Sequence, residues 1–132
     1  MRKVLFAAAV AAMSGLALPG HAQAAGPGEA LFNDNCAACH QRTGLGVRGA
    51  FPPLAGSKLV VGPPVGVATT VLVGRGGMPA FKSELTDQQL AAILTHIRSS
   101  WGNKAGPIKP TEVAAFRSRA SATAQTRSLQ AH

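Results

Sequence analysis

The fold class this sequence predicts is a small helical domain, and three observations point to it. Residues 86–100 carry apolar side chains at the spacing of one helix face. The pentapeptide Cys36-Ala37-Ala38-Cys39-His40 closes a second helical stretch that begins near residue 29. Nothing around that pentapeptide reads as a strand feeding a βαβ unit.

Residues 1–24 read as a signal peptide and stand outside the fold. Arg2 and Lys3 form a charged start, and 4–18 an apolar run. Pro19 and Gly20 break that run, and Ala22-Gln23-Ala24 offers the small-x-small cleavage pattern. Cleavage is expected after Ala24, with Ala25 as the neighbouring choice. The run is interrupted by Ser14-Gly15 and is shorter than the roughly 18–20 residues of a membrane span. Export is therefore expected, with no transmembrane span in the mature chain. A single domain over 25–117 follows, of a size that often leans on a metal or a cross-link to complete its core.

The first helix is expected over 29–41, with Leu31 and Phe32 on its apolar side and Glu29 at the positive end of its dipole. On a helix, residues at i and i+3 share a face. Cys36 and Cys39, the two cysteines of the chain, can then reach both vinyl groups of one porphyrin edge. His40 follows at i+4 from Cys36, placed to ligate the iron from below. A C-x-x-C-H run behind a leader reads as covalent attachment of one haem c. A thiol–disulfide motif would want a βαβ setting, and a zinc site would want a second ligand pair, which His96 and His132 do not make.

After His40 the glycines Gly44, Gly46 and Gly49 turn the chain into a loop. Phe51-Pro52-Pro53-Leu54-Ala55-Gly56 is extended, because each proline fixes its own φ and biases its predecessor. Residues 65–73 are ambiguous: their β-branched content favours a strand, while Val67, Val71 and Leu72 fit a helical stripe. Residues 74–81 form a glycine-rich loop around Met78.

Thr86 and Gln89 then make a capping box, and Leu90, Ile93, Leu94 and Ile97 give one apolar face up to Ser100. Gly102-Asn103 supplies the stop. A helical turn or two is expected within 111–116. Residues 118–132, rich in Ser, Ala, Thr, Gln and Arg without apolar periodicity, read as a disordered tail.

An electron carrier needs a sixth iron ligand, and Met78 is the methionine left once Met1 and Met13 depart with the leader. Its glycines let backbone wrap over a flat group, and Pro79 stiffens the approach. His96 is the competitor, near the edge of the apolar face of the last clear helix; bis-His ligation stays open on it.

C-A-A-C-H, F-P-P-L-A-G, M-P-A-F and the closing L-T-D-Q-Q-L-A-A-I-L-T-H-I-R-S-S-W-G-N, in this order, resemble a class I c-type cytochrome. The subgroup they resemble is the monohaem cytochrome subunits and domains of bacterial periplasmic dehydrogenases. The resemblance implies an all-α class I cytochrome c fold, with three to four helices packed around one covalently attached haem. It implies a helix over 65–73, and Gly28 and Phe32 against the Leu94/Ile97 side of the last helix. It implies the Pro52 carbonyl as acceptor for His40 Nδ1, with Leu54 and Phe81 walling the haem. His96 departs from the aromatic more usual there.

The function so implied is a periplasmic one-electron carrier rather than an enzyme, with His40 and Met78 as axial ligands. Its partners would be redox proteins: a dehydrogenase, a terminal oxidase or a quinol-oxidising complex. The alternative is a haem-based redox or gas sensor with a displaceable Met78. Thirteen Lys/Arg stand against five Asp/Glu, giving +8, which falls to +6 when Arg2 and Lys3 leave. That balance suits an acidic protein partner. Nucleic acid is excluded by export and by the lack of a clustered basic stripe with aromatics.

Overall fold

The computed structural model describes residues 26–130, so the expected signal peptide over 1–24, Ala25 and residues 131–132 lie outside the described residues. Six helices follow one another in that range: α1 Pro27–Asn35, α2 Ala37–His40, α3 Lys58–Val61, α4 Pro64–Val73, α5 Asp87–Ser99 and α6 Pro110–Gln130. No strand occurs among the described residues, only the isolated bridges Val47–Phe51 and Arg75–Met78. The fold is all-α, with two of its helices a single turn long.

α1 starts at a proline, whose missing N–H costs nothing in a first turn, and Glu29 lies in that turn. It crosses α5 at Gly28. A Cβ there would sit 2.3 Å from the Ala92 carbonyl oxygen, so only glycine permits this approach. The face that receives Gly28 is thus Ala92 and His96, beside the Leu94/Ile97 stripe rather than on it. Phe32 is buried and sets its ring 5.5 Å from His96 and 5.2 Å from Trp101.

α5 has the capping box its sequence announces. Thr86 Oγ1 accepts from the Gln89 backbone N–H at 3.2 Å, and Gln89 Oε1 accepts from the Thr86 N–H at 2.9 Å. Leu90, Ile93, Leu94 and Ile97 are buried and join Phe32, Val60, Leu72 and Val113 in one core. α4 is helical despite its β-branched residues, because Val67, Ala68, Val71 and Leu72 recur as one buried stripe. Packing outweighs propensity in this segment.

α6 corrects the sequence reading. One or two turns and then a disordered tail over 118–132 are expected; the helix instead runs to Gln130. Val113 anchors it in the core, and Arg117 binds the body through Asp87 Oδ1 at 2.7 Å, the Leu85 carbonyl at 2.9 Å and the Lys82 carbonyl. Beyond Ser121 every described side chain is exposed. The absent periodicity reports absent packing there, not absent helix. Five alanines from Ala114 to Ala124 favour helix, and Ser118, Thr123 and Thr126 return their hydroxyls to the carbonyls four residues back. Among the described residues no helix is long and apolar enough to cross a membrane.

Candidate haem site

The pentapeptide does not continue α1, as the single helix over 29–41 would have it. The chain bends at Cys36, with φ −125°, and α2 begins after it. Cys36 still donates its N–H to the Phe32 carbonyl at 2.8 Å, so the bend stays docked on α1. Its own carbonyl accepts from Cys39 at 3.2 Å and His40 at 2.9 Å, which closes Cys36, Cys39 and His40 into one turn. Both thiols are free and half-buried. Burial, and then the neighbouring Cys39, push the Cys36 thiol up to about 11.

His40 Nδ1 lies 3.0 Å from the Pro52 carbonyl oxygen. A carbonyl only accepts, so Nδ1 carries the proton and Nε2 keeps its lone pair free for a metal. The loop that delivers Pro52 leaves α2 through Gln41 at φ 60°, ψ 153°, a conformation almost confined to glycine. It folds back by hydrogen bonds from Gly46 N–H to the His40 carbonyl at 3.0 Å and from Leu54 N–H to the Gly44 carbonyl at 2.7 Å. Gly46 is required: at φ +63° a Cβ would meet the Phe51 carbonyl oxygen at 2.3 Å.

Met78 sits in a turn where Arg75 and Met78 exchange backbone hydrogen bonds of 3.2 and 3.0 Å. Gly74, at φ +74°, would bring a Cβ to 2.6 Å from the Met78 carbonyl oxygen, so the turn needs glycine there too. Phe81 N–H donates to the Val71 carbonyl at 3.0 Å, tying the loop to α4. Met78, Leu54 and Phe81 are all partly buried against the core. His96 is engaged elsewhere: its ring packs on Phe32 and Trp101, and its Nδ1 pairs with Ser100 Oγ at 3.2 Å. His132 lies outside the described residues.

These residues fit a haem. Two free thiols and an imidazole with an available Nε2 share one turn, and a thioether sits on a glycine-shaped loop. Leu45, Val47 and Phe51, 39–63% exposed, line one hollow with Pro52, apolar surface that a flat macrocycle can cover.

The long-range hydrogen bonds of three residues in and after α5 are not legible in the sequence, although W-G-N itself stands out there. Arg98, 5% exposed, donates to the carbonyls of Val60, Gly62 and Gly106 at 2.6–2.8 Å and ties α3 to α5. Trp101 Nε1 donates to the Arg42 carbonyl at 2.9 Å. Asn103 bonds Leu54, Gly56 and Ile97. Their partners lie up to 59 positions away, a range no local pattern reports.

Residues 23–97, which include the pentapeptide, Pro52 and Met78, match the family model described as cytochrome C oxidase, cbb3-type, subunit III. The cytochrome c subunit of alcohol dehydrogenase (quinone) from Gluconobacter oxydans is 34% identical over 103 residues, which cover 68% of this chain and 22% of that protein. The chain thus spans about a fifth of the length of that relative. Cytochrome c-552 from Thermus thermophilus is 34% identical over 106 residues, covering 69% of this chain and 71% of its own length. Cytochrome c6 from Leptolyngbya boryana is 33% identical over 75 residues, covering 55% of this chain and 88% of its own. With the pentapeptide on one turn and a histidine braced by a backbone carbonyl, the match has its chemical basis in place, and the chain belongs to the cytochrome c family of haem-bearing electron-transfer proteins.

Proposed function

We propose that this chain is an exported monohaem carrier of single electrons, working between a periplasmic dehydrogenase or other donor and the respiratory chain. The hydrogen bond from His40 Nδ1 to the Pro52 carbonyl is the observation that carries this reading, because it leaves Nε2 aimed at metal chemistry. Cys36 and Cys39 would hold one haem c by thioether bonds, and His40 Nε2 and the Met78 thioether would ligate its iron. When bound, the haem supplies one-electron Fe(II)/Fe(III) cycling.

The chain's residues set the terms of that cycling. His40 stays oriented by Pro52 in both oxidation states. Met78 adds a soft thioether that favours the ferrous state and raises the potential over a bis-His site. Were His40 and Met78 both to ligate the iron, the chain would leave no open position for a substrate, in keeping with a carrier rather than an enzyme. Leu54 and Phe81 contribute apolar wall.

Partner choice follows from charge. No acidic residue occurs between Asp34 and Glu84, while Arg42, Arg48, Lys58, Arg75 and Lys82 are exposed in that interval. This supports docking onto an acidic face of a redox partner, through a small and quickly released interface. The names of relatives, dehydrogenase cytochrome subunits and a CcoP oxidase subunit among them, support a dehydrogenase or a terminal oxidase as the partner, with a quinol-oxidising complex as a further proposed one.

The test is an absorption spectrum, oxidised and reduced, of protein made in a host with haem-attachment machinery. A low-spin c-type spectrum with a weak far-red sulfur-to-iron band is expected. Met78→Ala should keep the haem attached, lose that band and let the reduced iron bind carbon monoxide. An unchanged spectrum in that variant would remove Met78 as a ligand and bring His96 forward.

A further inference from the structure

Trp101-Gly102-Asn103 follows α5, far in sequence from the pentapeptide, yet its two large side chains reach the loop that carries Pro52. The Trp101 indole donates to the Arg42 carbonyl at 2.9 Å, two residues after His40. Gly44 lies so close against the same indole that a Cβ there would sit 2.4 Å from its ring carbons. Asn103 is 6% exposed, and both ends of its amide are used. Nδ2 donates to the carbonyls of Leu54 at 3.1 Å and Ile97 at 2.8 Å, and Oδ1 accepts from the Gly56 N–H at 2.8 Å.

The two anchored ends of the loop also hold each other. The Gly44 carbonyl accepts from Leu54 at 2.7 Å and from Ala55 at 3.0 Å. Pro52 lies inside the segment closed in this way. Backbone conformation marks the same path. Gln41 at φ 60° and Trp101 at φ 53° are the non-glycine residues with positive φ among the described residues. One directly follows His40, the other carries the indole, and the bond from Trp101 to Arg42 links them. Unfavoured backbone persists where its surroundings over-determine it, and such positions gather at functional sites.

We propose that Trp101 and Asn103 are positioning residues for the proximal histidine: they hold residues 41–56 so that the Pro52 carbonyl fixes the His40 imidazole and strengthens it as a donor. This rests on the reading of His40 as an iron ligand. A firm acceptor at Nδ1 makes Nε2 more electron-rich. A more electron-rich ligand favours the ferric state, so loosening the clamp raises the midpoint potential.

The experiment compares the haem-loaded protein with Asn103→Ala, Trp101→Phe and a control, Val113→Ala, which opens the core in α6 away from the clamp. Three quantities are read: the melting temperature, the midpoint potential, and the exchange rate of the His40 Nδ1 proton by NMR. Asn103→Ala and Trp101→Phe should both raise the potential and speed that exchange about tenfold, the size expected for one weakened hydrogen bond. Val113→Ala should lower the melting temperature and leave the other two readings in place. Should Asn103→Ala yield no holoprotein, Trp101→Phe decides alone against the Val113→Ala control, since phenylalanine keeps an aromatic ring at this position while removing the donor and the second ring of the indole. Clamp variants with the parent's potential and exchange rate would overturn the proposal, as would a control that moves them equally. Failure of the underlying ligand reading shows separately, as a parent protein without low-spin haem or without a protected Nδ1 proton, and that too ends the proposal.

Discussion

His96 shows how one side chain can be read by its type yet placed only by its neighbours. It sits where α1 crosses α5, with Phe32 on one side, Trp101 edge-on at 85° and Ser100 Oγ on Nδ1. Burial lowers its affinity for a proton, and Glu29 opposes this only in part. A histidine whose folded pKa lies below the unfolded value contributes no pH dependence above roughly 6.5. As pH falls through that value the unfolded chain takes up the proton first, so the folded state loses stability. Thermal melts of the holoprotein from pH 7.5 to 5 should therefore show a falling melting temperature, and His96→Phe should remove that component. A wild-type slope retained in the variant would assign the effect to other groups. The sequence places His96 near the edge of an apolar face; the aromatic partners that hold it come from α1 and from the turn after α5. The turn that joins Cys36, Cys39 and His40 was legible because it lives in a five-residue spacing. The hydrogen bonds of Trp101 and Asn103 were not, although W-G-N itself stood out, because they join positions about 50 apart.

Among the elements, legibility follows how far each helix depends on itself. α5 carries its own cap and its own apolar stripe, and both appear as read. Thr86→Ala removes the side-chain half of the capping box and should cost about 1 kcal/mol, seen as a lower melting temperature or denaturation midpoint. α1 depends on a partner: its approach to α5 needs Gly28, and the Cβ of Gly28→Ala would strike backbone at Ala92. That change should destabilise by about 1–3 kcal/mol, as overpacking does, in chemical denaturation of the holoprotein. A near-neutral result would mean that α1 can slide along α5. α4 has valines that suit a strand, and only burial of Val67, Val71 and Leu72 against neighbours makes it a helix. The outer half of α6 has no neighbours to betray it in an apolar pattern. Ending the chain after Ser121 should accordingly leave haem attachment and melting temperature unchanged, since contacts to the body stop at Lys82–Ser121. A clear loss of stability would place unseen contacts on that half.

At the scale of the whole molecule, charge is distributed unevenly along the chain: one long stretch carries cations alone, while the remainder mixes both signs. The five acidic residues fall at Glu29, Asp34, Glu84, Asp87 and Glu112, outside the interval that holds the Cys36–His40 turn, the Pro52 loop and Met78. That interval exposes Arg42, Arg48, Lys58, Arg75 and Lys82 without a counter-charge in its own sequence. A redox reagent approaching it meets a positive field that salt screens over about 10 Å at 0.1 M. Oxidation of the ferrous protein by an anionic reagent such as hexacyanoferrate(III) should then slow as ionic strength rises. Oxidation by a cationic cobalt(III) chelate should quicken over the same range, because screening relieves repulsion. Replacing Lys58 and Arg75 by glutamate should flatten both dependences, while Arg127→Glu, on the outer turns of α6, should leave them nearly as they were. Stopped-flow rates at several salt concentrations decide it. Equal slopes for anionic and cationic oxidants would mean that electrons leave through a face where these cations exert no field, and partner choice would then rest on apolar contact through side chains such as Leu45 and Phe51.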